Sequence, residues 1–578
     1  MSMTYLRSMA VLSLAALLGA GPMAPMPAMS AEDRYAALAK QYFAQSFAAN
    51  PISATESGLH AYDAQLGDFS AAHFRAQLAT DAAYLARLRA IDTSALSPEV
   101  KIDAKLLEYS LRDDLLLNGT MAQWKHSPDD YTGAASGAIF SIMSRNYAPL
   151  SARANDAIAR ELQIPAMLRA ARANITTVDA TTKSIAADDA RGSVSFFTDT
   201  VPQGFAALTD PALKKRLAAA NAGAAAAMKS YAAWIATIRP SGTYAIGADA
   251  YRQRLLYEDG LNMSVADYLA VGEKALDATH AQFVATAKKI NPKASPLAVY
   301  LSIAKIGPAP GDLVAVAQKG LLQLRSFIIA KHIVALPLGM NVKAIETPQF
   351  ERTTTTAAED SPGPLETVAT QTYYYVTPVD PTWNAQQTKD YLAQFNNFEF
   401  PIISAHEVYP GHATNFAIAR TLHLSLTRKL SQSSEYAEGW AHYSEQMMVD
   451  EGWGNGDPRV RLAQLEEAML RNCRYVVGVG LHTGGMTIAQ AEDTFVNRCF
   501  QPRQVAVEET LRGTQDPMYG YYTLGKLMIL KLRADYTRKM GAAYTLEKFH
   551  DAFLAHGDPP IPLLRPILLG SSDDGEPL

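Results

Sequence analysis

"HEVYPGHATNF", residues 406–416, decides how this chain is read. In the zinc-binding pattern H-E-x-x-H, two histidines four residues apart ride one face of a helix. Here His406 and Glu407 open the pattern, but the next histidine is His412, six positions on. Four residues carry a helix about 40° past a full turn, whereas six carry it about 240°. An unbroken helix therefore turns His412 away from His406. Pro410 cannot continue a helix, because it lacks an N–H and clashes with the preceding turn. Gly411 adds backbone freedom. The pair predicts a break that brings His412 back towards His406.

A catalytic zinc takes three protein ligands and keeps one position open. The stretch "SSEYAEGWAHYSEQMMVDEG" (433–452) offers the third. Its Glu438 follows His412 closely enough for one helix to end and another to return. On a helix, Glu438, His442 and Glu445 fall at i, i+4 and i+7 and share a face. Glu438 is the expected ligand. Glu445 is expected to support the ligands from behind, and His442 to do the same or to touch substrate. Two histidines and a carboxylate suit zinc. Glu407, next to His406, stands where zinc hydrolases keep the base that takes a proton from metal-bound water.

Outward from the motif the chain reads helical. Apolar residues recur at three- and four-residue steps over 31–50 and 70–91. Ser97, Pro98 and Glu99 open a helix over 97–117. The Ala-rich run 211–238 extends the pattern without an internal proline. Residues 48–63, broken by Pro51 and Gly58, read as a loop. The segment 351–384 is rich in Thr, Tyr and Val, and "TYYYVTP" within it reads as a strand. That strand either lines a cleft and offers backbone groups to an extended peptide, or forms a surface hairpin. The fold expected is mainly α, a large helical zincin-like body with a short β-hairpin or sheet before the metal motif.

Composition excludes several classes. With 48% apolar and 19% charged residues, the chain can bury a sizeable core and is not globally disordered. A net charge of −5 argues against a nucleic-acid partner. Residues 1–31 read as a signal peptide, with Arg7, a short apolar run over 9–21 and small residues before Glu32. That places the mature chain, 32–578, in the periplasm or outside the cell, as one large domain whose two lobes would flank a cleft. No cysteine stands near the boundary for a lipid anchor, and no later stretch is expected to span a bilayer. Cys473 and Cys499 are the chain's two cysteines, and spacing alone leaves their pairing open.

"HEVYPGHATNF", "YAEGWAHYSEQMMVDEG" and "RYVVGVGLHTGGMTIAQAEDTF" together resemble the bacterial family catalogued as domain of unknown function 885, itself similar to the gluzincin metallopeptidases. The resemblance spans most of the mature chain. It implies a helical fold with a long cleft, zinc on His406, His412 and Glu438, and Glu407 as base. The chain departs from the family's pattern at Ala413 and Asn415, where His and Gln are frequent, and at Gly478, where Asp is frequent. The resemblance also implies roles further on. His482 in "GLHTGG" would bind substrate or polarise a carbonyl, unless it is a buried or capping histidine. Tyr522 would stabilise the oxyanion, with Tyr519 and Tyr521 close enough to share the assignment. Arg512 would bind a peptide carboxylate, unless it forms a structural ion pair.

The function expected is zinc-dependent hydrolysis of short peptides. Its rivals are another metal-assisted amide hydrolase with the same ligands, and a non-catalytic periplasmic peptide-binding protein. The retained Glu407 speaks against the second rival, because metal binding alone does not need a base.

Overall fold

The computed structural model describes residues 29–309, 311–348, 352 and 356–578. Nearly all of the expected signal segment lies outside them. The described chain is mainly helical, with one small sheet. Helices α1 (Ala31–Ala49), α2 (Ala71–Arg89), α3 (Pro98–Asp114) and α4 (Pro211–Thr237) fall where the apolar periodicity places them. Ser30, Ser70 and Asp210 cap α1, α2 and α4 through their side chains. Ser97 takes the capping position of α3 but makes no capping hydrogen bond. The expected loop 48–63 instead contains a short helix, Pro51–Glu56, because Pro51 sits at its first turn, where a missing N–H costs nothing.

Among the helices that follow are α5 (Val265–Ile290) and α6 (Leu313–Ala330). By length and apolar composition α6 could cross a membrane, contrary to the sequence expectation. Here one stripe of it, Leu313, Ala317, Leu321, Leu324 and Ile328, is buried in the largest core. The sheet comes next, with strands β1 (Val342–Glu346), β2 (Ala357–Asp360) and β3 (Thr372–Val376) in the order β1-β3-β2. β1 runs parallel to β3 and β2 antiparallel to it. The Tyr-rich segment thus forms the central strand, and β2 is the edge strand beside the motif. Tyr374, Tyr375 and Val376 are buried, which accounts for the aromatic and β-branched run.

The motif occupies α7 (Phe400–Glu407) and α8 (His412–Thr421), followed by α9 (Ser434–Asp450), α10 (Pro458–Thr483), α11 (Arg503–Gln515) and α12 (Tyr521–Met540). α9 and α12 cross with almost no space between backbones. A Cβ on Gly439 would lie 2.5 Å from the Cα of Gly525, and one on Gly525 would lie 1.8 Å from the carbonyl oxygen of Glu435. Cys473 in α10 and Cys499 form a disulfide with Cα atoms 6.4 Å apart, which answers the question their spacing left open.

The second core, formed by helices of the N-terminal half, includes Ile139, Ile142, Ala157 and Ile158. At its side lies Glu161, fully buried, with neither carboxylate oxygen partnered among the described residues. Burial pushes its carboxyl from the ordinary 4.5 up to about 8. The folded state therefore binds this proton more tightly than the unfolded state, and stability falls as pH rises through that window. Glu161→Gln is expected to raise Tm by roughly 2–5 °C at about pH 8.5 and by under about 1 °C near pH 4.5. Thermal unfolding at the two pH values checks this, and equal shifts would contradict a proton held on Glu161.

Candidate metal centre

α7 ends at Glu407, and the chain leaves helical geometry at Val408 and re-enters it at His412. The Tyr409–Pro410 peptide is cis. Hydrogen bonds across it hold the break. Gly411 N–H donates to the Ala405 carbonyl (2.9 Å), the Thr414 hydroxyl to the Val408 carbonyl (2.8 Å), and the Trp440 indole to the Pro410 carbonyl (2.8 Å). Clearance fixes residue 411 as glycine: a Cβ there would sit 1.7 Å from the carbonyl oxygen of His406.

The break returns His412 to His406. Their rings meet edge-on, with centroids 4.8 Å apart and planes at 85°. Glu438, on α9, joins them. Its Oε2 lies 3.3 Å from His406 Nε2 and 3.2 Å from His412 Nε2. Donor atoms of all three residues fall within 4.8 Å of one another. Tetrahedral bonds of about 2.0–2.1 Å place donor atoms about 3.3 Å apart, so this spacing fits zinc. The electrostatics agree. Burial works against a charged His406, yet Glu438 and Glu445 raise it to about 10. Burial likewise opposes ionisation of Glu438, yet His412 and His406 hold it well below its ordinary range. The cluster favours positive charge at the point where the three donors meet.

Behind the cluster, Glu445 Oε1 accepts from His406 Nδ1 at 2.7 Å, which turns His406 Nε2 towards Glu438. The same carboxylate meets Arg471 Nη2 at 3.1 Å and His442 Nδ1 at 3.0 Å. His442 is fully buried, and its Nε2 has no partner among the described residues. Of its two expected roles, its place on α9 behind Glu445 matches the supporting one, and burial lowers it to about 3. His482, buried in the last turn of α10, matches the alternative of a buried histidine: its Nε2 is bonded to the Gly513 carbonyl at 2.7 Å, and its ring packs on Tyr244. None of those contacts is with the cluster.

Tyr522 does reach the cluster. Its ring stands over His406 with centroids 6.3 Å apart. The guanidinium groups of Arg471, Arg474 and Arg512 lie 5.5, 5.0 and 5.9 Å from its centroid. Arg512 donates to both the Tyr521 and Tyr522 hydroxyls, at 3.2 and 3.3 Å, and stands 3.8 Å from Asp516. Tyr519 is buried against Gly478 and Gly513 and drops out of the choice. That packing also explains Gly478, where a Cβ would lie 2.9 Å from the Tyr519 ring. Of the other departures, Asn415 donates to buried Asp558 at 3.0 Å, and Ala413 is in the core.

Glu359 went unnoticed in the sequence. Its backbone N–H donates to Glu407 Oε2 at 3.1 Å, and burial, with the Glu407 charge, pushes its own carboxyl up to about 7. No motif marks it; only the pairing of β2 with β3 brings it to Glu407. A further trio of buried carboxyls, Glu399, Glu466 and Glu467, is already met by Tyr300, Asn396, Gln501 and Arg471.

Fold and site together define a large helical protein with a buried two-histidine, one-carboxylate centre at a helix break. The chain belongs to the family described as bacterial protein of unknown function (DUF885), whose model matches residues 51–568. It is similar to a solved candidate lipoprotein of unknown function from Shewanella oneidensis, with 25% identity and a TM-score of 0.78, covering 94% of this chain and 100% of that one. A solved candidate lipoprotein from Colwellia psychrerythraea has the same fold at 18% identity and a TM-score of 0.79, with the same coverage. No curated protein matches the sequence.

Glu445→Gln keeps the shape behind His406 but removes the charge that orients it. It is expected to weaken zinc binding about 10–100-fold, read by competition with a chromophoric chelator. An unchanged affinity would remove Glu445 from the support of the centre.

Proposed function

We propose that this chain is a zinc-dependent peptidase of gluzincin-like build that hydrolyses short peptides outside the cytoplasm. The observation that carries the reading is the convergence of His406 Nε2, His412 Nε2 and Glu438 Oε2 beside Glu407. Zinc, when bound, supplies a Lewis acid that polarises an amide carbonyl and lowers the pKa of water towards about 7. Glu407 takes the proton from the attacking water and delivers it to the leaving amine. The Glu359 N–H holds one of its carboxylate oxygens, which fixes the base in place. Tyr522 accepts a hydrogen bond from Arg512, so its own O–H is left to donate to the developing oxyanion. Burial raises its pKa and keeps that proton on.

Access supports short substrates. The side chains of His406, His412 and Glu438 are 6%, 11% and 24% exposed, so a slender chain reaches them and a folded surface does not. The Cys473–Cys499 disulfide and the two relatives described as candidate lipoproteins support an extracytoplasmic place.

The test is a peptide-mixture digest by zinc-loaded protein, read by mass spectrometry. Hydrolysis is expected. Glu407→Gln should lower kcat about 10²–10⁴-fold with zinc content unchanged. Intact peptides after exposure to fully loaded protein would favour a binding protein over an enzyme.

A further inference from the structure

α6 is long and apolar enough to cross a membrane, yet 28% of its residues are buried. The stripe from Leu313 to Ile328 is committed to the core, which rules out a span. That stripe does not account for the apolar residues on the opposite side. Leu322 and Ile329, at i and i+7, share the outward face and are 60% and 51% exposed.

The turn 337–340 adds a third. Its Met340 N–H donates to the Pro337 carbonyl at 3.1 Å, Gly339 takes a φ of +78°, and Leu338 at the tip is wholly exposed. Surface turns favour Gly, Pro, Asn, Asp and Ser, and a leucine at the tip gains nothing from packing. The turn lies alongside α6: Leu322 and Arg325 line a cavity of about 150 Å³ together with Met340 and Asn341.

The charges on this face have one sign. Lys319 and Arg325 flank Leu322, three residues to either side. Lys331 follows the helix end, over the Phe327 ring at 5.8 Å. None of the three makes an ion pair or hydrogen bond among the described residues. Carboxylates on the adjoining segments are engaged: Glu346 by Arg352, Glu451 by Arg533, and Glu547 by His332. Asp312 stands two turns before Lys319, at the start of the helix. In a chain of net charge −5, this is a local cationic face around exposed aliphatic side chains.

We propose that this face docks the protein on the surface of an anionic phospholipid bilayer. Leu322, Ile329 and Leu338 enter the headgroup boundary, and Lys319, Arg325 and Lys331 meet the phosphates. A fluid lipid layer takes a protruding leucine without a fitted pocket, and its negative potential complements cations that the protein leaves unpaired. The inference stands independently of the peptidase reading.

Co-sedimentation of the mature chain, 32–578, with vesicles tests it. The vesicles are phosphatidylcholine, alone or with about one third phosphatidylglycerol. At about 0.05 M salt, partition onto the anionic vesicles is expected to be tenfold or more stronger than onto the neutral ones, and the ratio should fall below twofold near about 0.5 M. Leu322→Gln, Ile329→Gln and Leu338→Gln together leave the charge unchanged and should weaken anionic partition tenfold or more. Lys319→Gln, Arg325→Gln and Lys331→Gln together should bring the ratio below twofold. The single exchanges are read alongside, with Tm as the check on folding. No partition, equal partition onto both vesicles, or a preference that survives the exchanges overturns the proposal. A dimer seen by light scattering and lost in the leucine and isoleucine exchanges, with no vesicle binding, would overturn it too and give the face to a second copy of the chain.

Discussion

The backbone of Gly411 lies against the carbonyl of His406, and the rest of the centre depends on that contact. It is closer than any side chain allows. It lets the chain fold back within the four residues Val408–Gly411 and start a second helix with His412 already facing His406. The two histidines then meet at right angles instead of side by side on one helix. Trp440 secures the break from α9, the helix that also carries Glu438. Glu438 and the clamp on the break thus arrive on one rigid element.

A second close approach sets the depth of the site. Gly439 and Gly525 let α9 and α12 touch backbone to backbone. Glu438 directly precedes the first glycine, and Tyr522 lies three residues before the second. The crossing that seats Glu438 therefore also seats Tyr522, whose ring stands over His406. Burying so many charges here is tolerable because they form a connected set. Glu445 joins His406, His442 and Arg471, while Arg474 and Glu509 make a bidentate pair under Tyr522. Breaking one member strands its partner in a low-dielectric interior.

What was legible in the sequence was local. Helix periodicity, the Pro-Gly break and the E-G-W-A helix all depend on neighbours within one or two turns, and each reads out as expected. The family resemblance supplied Tyr522, and the structure separates it from Tyr519 by packing. What stayed open or hidden depended on which side of an element faces the core. His442 shares a face with Glu438 on a helical wheel, but that face is broad enough to include the core behind the ligand. His482 stands in the last turn of α10, just before a glycine pair that looks functional, and a backbone carbonyl holds its Nε2. Glu359 and Arg471 reach the site across 48 and 65 residues of chain, through sheet pairing and helix packing that no spacing rule encodes. The expected loop at 48–63 failed for another reason: a proline that ends one helix also starts the next.

Metal content by elemental analysis, on the unsubstituted protein and on His412→Ala side by side, tests the central claim most directly. The geometry predicts about one zinc per chain in the first and none retained through dialysis in the second. Equal zinc in both would contradict it, because the helix break would then not be what completes the metal site.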